Sequence, residues 1–242
     1  MKAHCNGRRA WNSRKTGTVG PNNLDFGGEV DNDFEHMIEH LIQADTRLFL
    51  LVNHTLSNPV FDRVMPVLTD GRFWVLPILA AAGLFFYHWR RTALAVLALA
   101  LVTVSVSDPL CNRIVKPSVR RLRPCNVNVN LPDGRFLLGR KSSFSFPSSH
   151  AMNVFAQAML WSLLYRRKKI AIPAFMLAAL IAFSRVYVGV HYPLDVVAGA
   201  VLGMGCGGLV YGVCAGLITR HGRDPGWLER LRSPVPRAGL SS

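Results

Sequence analysis

Long apolar runs separated by short charged segments set the pattern of this chain. Phe73–Tyr87, Thr92–Ser107, Ser148–Tyr165, Ile170–Val190 and Leu194–Thr219 carry almost no charge and read as five membrane-spanning helices. Several of their uncharged cores hold about 15 residues, roughly 22 Å of helix, which is short of a ~30 Å hydrocarbon core. The fourth run reaches full length only by including Arg185. Its end must therefore face a wet, protein-lined cavity rather than lipid. Upstream, Met37, Ile38, Leu41, Ile42, Leu48, Leu51 and Val52 recur at helical spacing among Glu39, Asp45 and Arg47. The segment Phe34 to Leu56 is too polar to span and reads as an amphipathic helix on the membrane surface. The pattern predicts an all-α, polytopic membrane helical bundle with five transmembrane spans and an N-terminal amphipathic interfacial helix. Residues 33–219 form the membrane-embedded domain, between a polar tail at 1–32 and a basic tail at 220–242.

Composition narrows this further. Half of the 242 residues are hydrophobic and 17% are charged, with a formal net charge of +14. That excess suits anionic lipid or an anionic substrate. Nucleic acid is excluded as a partner, because the basic residues flank membrane runs and no nucleic-acid motif is present. The short turns at Arg90-Arg91 and Arg166–Lys169 and the arginines after residue 219 fall on one side, which the positive-inside bias makes cytoplasmic. Loops 108–147 and 185–194 then face outward. The outer loop is itself basic, with Arg113, Arg135, Arg140 and Lys141 among others. With five spans the basic N-terminal tail also lies outside, unless residues 37–57 cross. Five cysteines show no metal-like spacing; a bridge between Cys111 and Cys125 is left open. In the last run Gly199, Gly203 and Gly207, then Gly208, Gly212 and Gly216, recur every fourth residue. Such stripes let another helix approach closely, here within the same chain rather than across a dimer.

Three charged segments interrupt the runs, and alternating spans place all three on one face. The first is Lys116-Pro-Ser-Val-Arg-Arg-Leu-Arg123-Pro124, the second Pro147-Ser148-Ser149-His150, and the third Ser184-Arg185 with His191 and Asp195. Charges at the edge of hydrocarbon are costly and are usually kept for function. Asp195, in the first turn after Pro193, can accept the Nδ1–H of His191, which frees Nε2 as a nucleophile and steadies the cation that forms. Ser148 and Ser149 open a helix whose N–H groups and dipole favour an anion. Lys116, Arg123 and Arg185 can neutralise a phosphate there and stabilise the three equatorial oxygens of a phosphoryl group in transfer. His150 is placed to protonate the leaving oxygen and then to activate water. Arg120 and Arg121 fit no motif position and read as headgroup or solvent contacts. The loop 126–146 reads equally as a lid over the headgroup or as a solvated connector. Between Arg91 and Ala200 the only acids are Asp108, Asp133 and Asp195, too few for a two-metal cluster. The expected chemistry uses no metal and no cofactor.

This constellation resembles the type-2 phosphatidic-acid phosphatase superfamily, whose pattern runs Lys-x6-Arg-Pro, Pro-Ser-Gly-His and Ser-Arg-x5-His-x3-Asp. Lys116, Arg123 and Pro124, then Pro147, Ser148 and His150, then Ser184, Arg185, His191 and Asp195 match it, and Ser149 stands where the pattern has glycine. The resemblance covers roughly residues 45–215. It implies a membrane phosphatase acting on a lipid phosphate or diphosphate through a phosphohistidine. The lead-in Asn58-Pro59-Val60-Phe61-Asp62 and Met65–Thr69 looks nearest to the small bacterial undecaprenyl-diphosphate phosphatases. Lipid A 1-phosphatases, phosphatidylglycerophosphate phosphatases and lipid phosphotransferases share the chemistry. The resemblance also implies a bacterial inner membrane, with the site facing the periplasm or outside.

Overall fold

A computed structural model describes residues 32–220. The tails expected at 1–32 and 220–242 lie, but for one residue each, outside the described residues. No strand occurs among those described. The elements are α1 (Asn32–Leu50), α2 (Pro59–Thr69), α3 (Gly71–Pro109), α4 (Lys116–Val119), α5 (Ser149–Tyr165), α6 (Lys168–Tyr187) and α7 (Pro193–Arg220). Single π-helical turns, Leu51–Thr55 and Leu110–Val115, follow α1 and α3.

Local chemistry sets these boundaries. Asn58 caps α2, accepting from the N–H groups of Val60 at 3.1 Å and Phe61 at 2.9 Å, with Pro59 at the first helical position. Asp70 caps α3 through Arg72 N–H at 3.0 Å. The expected first and second spans are the two halves of α3, which breaks at Trp89 (φ −137°, ψ 39°).

Among the described residues, four helical stretches are long and apolar enough to cross a membrane: Gly71–Arg90, Thr92–Val119, Lys168–Tyr187 and Pro193–Ile218. The remaining expected span is α5, whose 17 residues rise only about 25 Å. It runs through the centre, packed against α7, α6 and α3. Val96 of α3 and Leu160 and Leu164 of α5 form one apolar cluster; Cys111, Met152, Ala156 and Cys206 form another. The α5–α7 contact depends on glycine. A Cβ added at Gly199 would lie 2.6 Å from the backbone oxygen of Ser148, the N-cap of α5, and one at Gly203 or Gly207 would lie 2.2 or 2.3 Å from a backbone oxygen within α5. The first glycine stripe is thus a packing seam inside the chain, as expected.

α1 is amphipathic, and its polar residues do more than face solvent. Asp45, Phe49 and Asn53 are spaced by four and fully or almost fully buried, so they form the face that docks on the bundle. Phe49 packs on Tyr192, with ring centroids 5.5 Å apart. Asn53 donates to the carbonyls of Arg135 and Tyr187 at 2.7 Å each and accepts from Arg135 N–H at 2.6 Å. These bonds fasten the loop 126–146. Arg135 also pairs with Asp62 at 2.5 Å, and Leu137 N–H donates to Val188 O at 3.2 Å. Gly189 has φ +85°, and a Cβ there would meet Arg135 O at 2.2 Å, so only glycine allows the loop to lie this close. The loop is tied down along the junction of α6 and α7.

Candidate active site

The site forms where α5 and α7 begin, α6 ends and the segment after α4 crosses between them. Backbone bonds fix this convergence: Ser148 N–H donates to Asp195 O at 2.9 Å, and Ser145 N–H to Arg121 O at 2.7 Å. The openings of α5 and α7 are thereby held side by side at one end of the bundle, as alternating spans require.

His191 lies in the link between α6 and α7, 1% exposed. An Nη1–H of Arg123 points to its Nε2 at 2.9 Å. A guanidinium has only donors, so Nε2 carries the lone pair and Nδ1 the proton. Nδ1 faces Asp195 Oδ2 at 3.5 Å, long for a hydrogen bond. The expected direct His191–Asp195 bond is therefore loose here, and Ser145 sits alongside. Its hydroxyl is 3.4 Å from Nδ1 and donates to Asp195 Oδ2. Tyr192 N–H also donates to that oxygen at 2.8 Å. Burial, followed by the cations Arg123 and Arg185, pushes the His191 imidazolium down to about 3 against the pull of Asp195, so the ring is neutral at ordinary pH.

The cations are gathered as well. Arg123 is held by Ser143 O and Oγ at 3.1 Å each and by Val190 O at 3.1 Å. Arg185 donates to Thr69 Oγ1 at 2.5 Å, while its Nε is buried without a partner. A buried donor with nothing to bind is costly, and an anion in this site would satisfy it. Lys116 is buried and donates from Nζ to Ser149 Oγ at 2.7 Å. His150 stands exposed at the first turn of α5. Lys141 belongs to the same field, its ammonium drawn below the usual value by burial and by Arg185 and Arg123.

Three expectations change. Ser148 does not offer a free N–H, because that group is bonded to Asp195 O, and its hydroxyl only weakly caps Ala151 N–H at 3.5 Å. The Ser149 hydroxyl is engaged too, accepting from Lys116 and donating to Asn112 Oδ1 at 2.8 Å. Arg121 is no solvent contact: it bridges Asp45 at 2.6 Å and Asp195 at 2.8 Å under the ring of Tyr192. Despite burial, Asp195 and Asp45 hold its guanidinium above the usual value. Cys111 and Cys125 are free thiols. Asp45, Thr69, Ser143 and Ser145 also touch the site and are absent from the three motifs.

The arrangement offers a neutral imidazole with its lone pair toward a cluster of fixed cations, a carboxylate behind it, and an exposed second imidazole at a helix start. That suits attack on a phosphoryl group. The sequence pattern of the PAP2 superfamily matches residues 92–216, which contain all eight residues expected at the site. A lipid A 4'-phosphatase of Bacteroides thetaiotaomicron is 34% identical over 208 residues, 84% of this chain and 88% of that one. An undecaprenyl-diphosphatase of Sulfolobus acidocaldarius is 30% identical over 166 residues, 68% of this chain and 76% of that one. The solved transmembrane PAP2 type phosphatidylglycerolphosphate phosphatase from Bacillus subtilis is 26% identical, with a TM-score of 0.54 over 74% of this chain and 87% of that one.

Proposed function

The chain belongs to the PAP2 superfamily, and on that premise we propose that it is a multi-pass membrane phosphatase that cleaves a lipid phosphate through a phosphohistidine on His191. The observation that carries this reading is the Arg123–His191 contact of 2.9 Å, which makes Nε2 the ring's acceptor and points it at the cations.

In the proposed reaction, the Nε2 lone pair forms the bond to phosphorus while the P–O bond to the lipid breaks, its electron pair leaving on oxygen. His150 gives that oxygen a proton. Lys116, Arg123 and Arg185 hold the three equatorial oxygens and meet the charge that develops on them; Ser148 and Ser149 shape the α5 end of the pocket. Asp195 stabilises the cationic ring of His191. His150, now neutral, takes a proton from water, whose oxygen attacks phosphorus; the N–P bond breaks and inorganic phosphate leaves. Protein cations supply the charge that a metal ion supplies elsewhere, so the reaction runs in a chelator.

For the substrate, a lipid A phosphate comes first, supported by the 34% identical relative that covers most of both chains. Undecaprenyl diphosphate, expected from the sequence, is the second reading, supported by the 30% identical relative. The charge bias of the short turns supports a site on the outer face of the membrane, and the family resemblance supports a bacterial inner membrane. The test is phosphate release from lipid A, undecaprenyl diphosphate and phosphatidylglycerophosphate in one detergent with EDTA, compared by kcat/KM. Activity that survives EDTA and disappears in His191→Ala is expected. Activity that needs a divalent ion, or that His191→Ala retains, overturns the reading.

A further inference from the structure

Asp45 stands on α1, far outside residues 92–216, yet its carboxylate reaches the opening of α7. Oδ1 accepts from Leu194 N–H at 2.8 Å and Oδ2 from Arg121 Nη2 at 2.6 Å. Burial raises this carboxyl above its usual value, against the pull of Arg121 and the Leu194 N–H; both oxygens accept, one of them from a permanent cation, and that contact favours the ionised form. Arg121 extends its other nitrogen, Nη1, to Asp195 Oδ1 at 2.8 Å. The second oxygen of Asp195 is the one that faces His191. Asp45 is 1% exposed and Asp195 fully buried, so water screens these charges little.

Two carboxylates around one guanidinium leave the cluster with one negative charge. Without Asp45, the charge of Arg121 would fall on Asp195 alone and cancel it. We propose that Asp45 is a positioning residue for the His191–Asp195 pair: by occupying half of Arg121, it leaves Asp195 the negative charge that His191 needs when its Nε2 bonds to phosphorus. This rests on the reading of His191 as nucleophile. A neutral side chain could cap Leu194 equally well. The short contact to Arg121 is what calls for a carboxylate. On this account the catalytic pair is electrostatically incomplete without the surface helix, a segment that none of the three motifs includes.

The experiment compares wild type, Asp45→Asn, Arg121→Gln and the double variant, in detergent, on whichever lipid phosphate of the panel wild type cleaves fastest, with His191→Ala as control. Asp45→Asn keeps an oxygen for Leu194, and in place of the charged acceptor it turns an amide NH2 toward Arg121. Its kcat falls about tenfold, the equivalent of one pKa unit on the His191 cation, while KM stays within about threefold. Adding Arg121→Gln removes the uncancelled cation, so the double variant recovers at least about threefold in kcat over Asp45→Asn. A role limited to contacts between α1 and α7 predicts the opposite, since the double variant loses both ion pairs. A double variant no faster than Asp45→Asn, or an Asp45→Asn enzyme at full kcat, overturns the proposal while leaving the parent reading intact. If Asp45→Asn does not elute as a folded species, the double variant decides: kcat above about a third of wild type supports the proposal, and anything lower overturns it. Full activity in His191→Ala brings down both readings.

Discussion

Arg123 and His191 meet at 2.9 Å, the guanidinium donating to the ring nitrogen that attacks phosphorus in the proposed reaction. One side chain thus fixes the tautomer of the proposed nucleophile and supplies a donor for an incoming anion. In the proposed reaction phosphate takes its place beside Nε2, and part of the binding energy then goes into redirecting Arg123. Arg123→Lys keeps the charge and loses the planar fork that also reaches Val190 O and Ser143. Loss of a preormed transition-state donor typically costs about 100-fold or more in kcat. We expect Arg123→Lys to fall by about that factor and Arg123→Ala by more, read as initial rates of phosphate release. A lysine enzyme within a few-fold of wild type would mean that the fork has no part in the transition state.

A second prediction concerns pH. Burial and the neighbouring cations Arg123 and Arg185 bring the His191 imidazolium from 6.5 down to about 3. Below pH 6.5 the unfolded chain takes up a proton on this residue and the folded chain does not, so stability falls as pH drops from 6.5 toward 3. The slope is at most about 1.4 kcal/mol per pH unit. Replacing His191 with Asn removes that contribution. Melting temperatures in detergent from pH 7 to pH 4 should therefore fall less steeply for His191→Asn than for wild type; parallel curves would contradict a neutral buried ring. By the same logic, once the substrate's own ionisation is corrected for, the acid limb of kcat/KM shows no inflection near 6.5 assignable to His191.

Much of this architecture was legible because membranes punish misplaced charge. Arg185, His191 and Asp195 at the edge of apolar runs pointed to a site, and alternating spans put Lys116, Arg123 and Ser148 beside them. What stayed hidden depends on distant partners. Asp45 lies 149 positions from Leu194, whose N–H it accepts, and 76 from Arg121. On a helical wheel it looked like one more polar residue of a surface helix. Thr69 meets Arg185 across 116 positions, with no local pattern to announce it. Ser149 was legible as a departure from the family pattern, but the use of its hydroxyl depends on Lys116, 33 positions earlier in the chain. The loop 126–146 carried turn residues and charge, which left its role open; its anchoring rests on Asn53, Asp62 and Gly189, far away in the chain.

The glycine stripes of α7 should separate cleanly by substitution. A Cβ at Gly203 would lie 2.2 Å from Met152 O, a backbone atom that cannot move alone, whereas nothing lies within 4 Å of one at Gly212. Gly203→Ala must push α5 and α7 apart, and overpacking of this kind costs about 1–3 kcal/mol. Gly212→Ala meets no obstacle and gains helix propensity, up to about 1 kcal/mol. Thermal unfolding in detergent should show Gly203→Ala lowered and Gly212→Ala unchanged or raised. Equal effects at the two sites would mean that α5 and α7 do not pack through Gly203.

Ser149 supplies the sharpest contrast with the family pattern, in which this position is glycine. Its hydroxyl accepts from the Lys116 ammonium at 2.7 Å, donates to Asn112 at 2.8 Å and lies 3.3 Å from the Cys111 thiol. Lys116 is thus held against the opening of α5 before any substrate arrives, and a flexible four-carbon stem is ordered in advance. Ser149→Ala removes the anchor and keeps the helix start. Lys116 then has to be ordered by the phosphate itself, at a cost of about 0.5–1.5 kcal/mol for one long side chain. That corresponds to a rise in KM of roughly 2- to 12-fold, with kcat little changed because the ammonium still reaches the transition state. Lys116→Met, which removes the charge, should instead lower kcat about 100-fold. Steady-state kinetics on one lipid phosphate distinguishes the two: a Ser149→Ala enzyme whose loss lies in kcat rather than KM would show that the hydroxyl acts on the reacting phosphoryl group and not on the lysine.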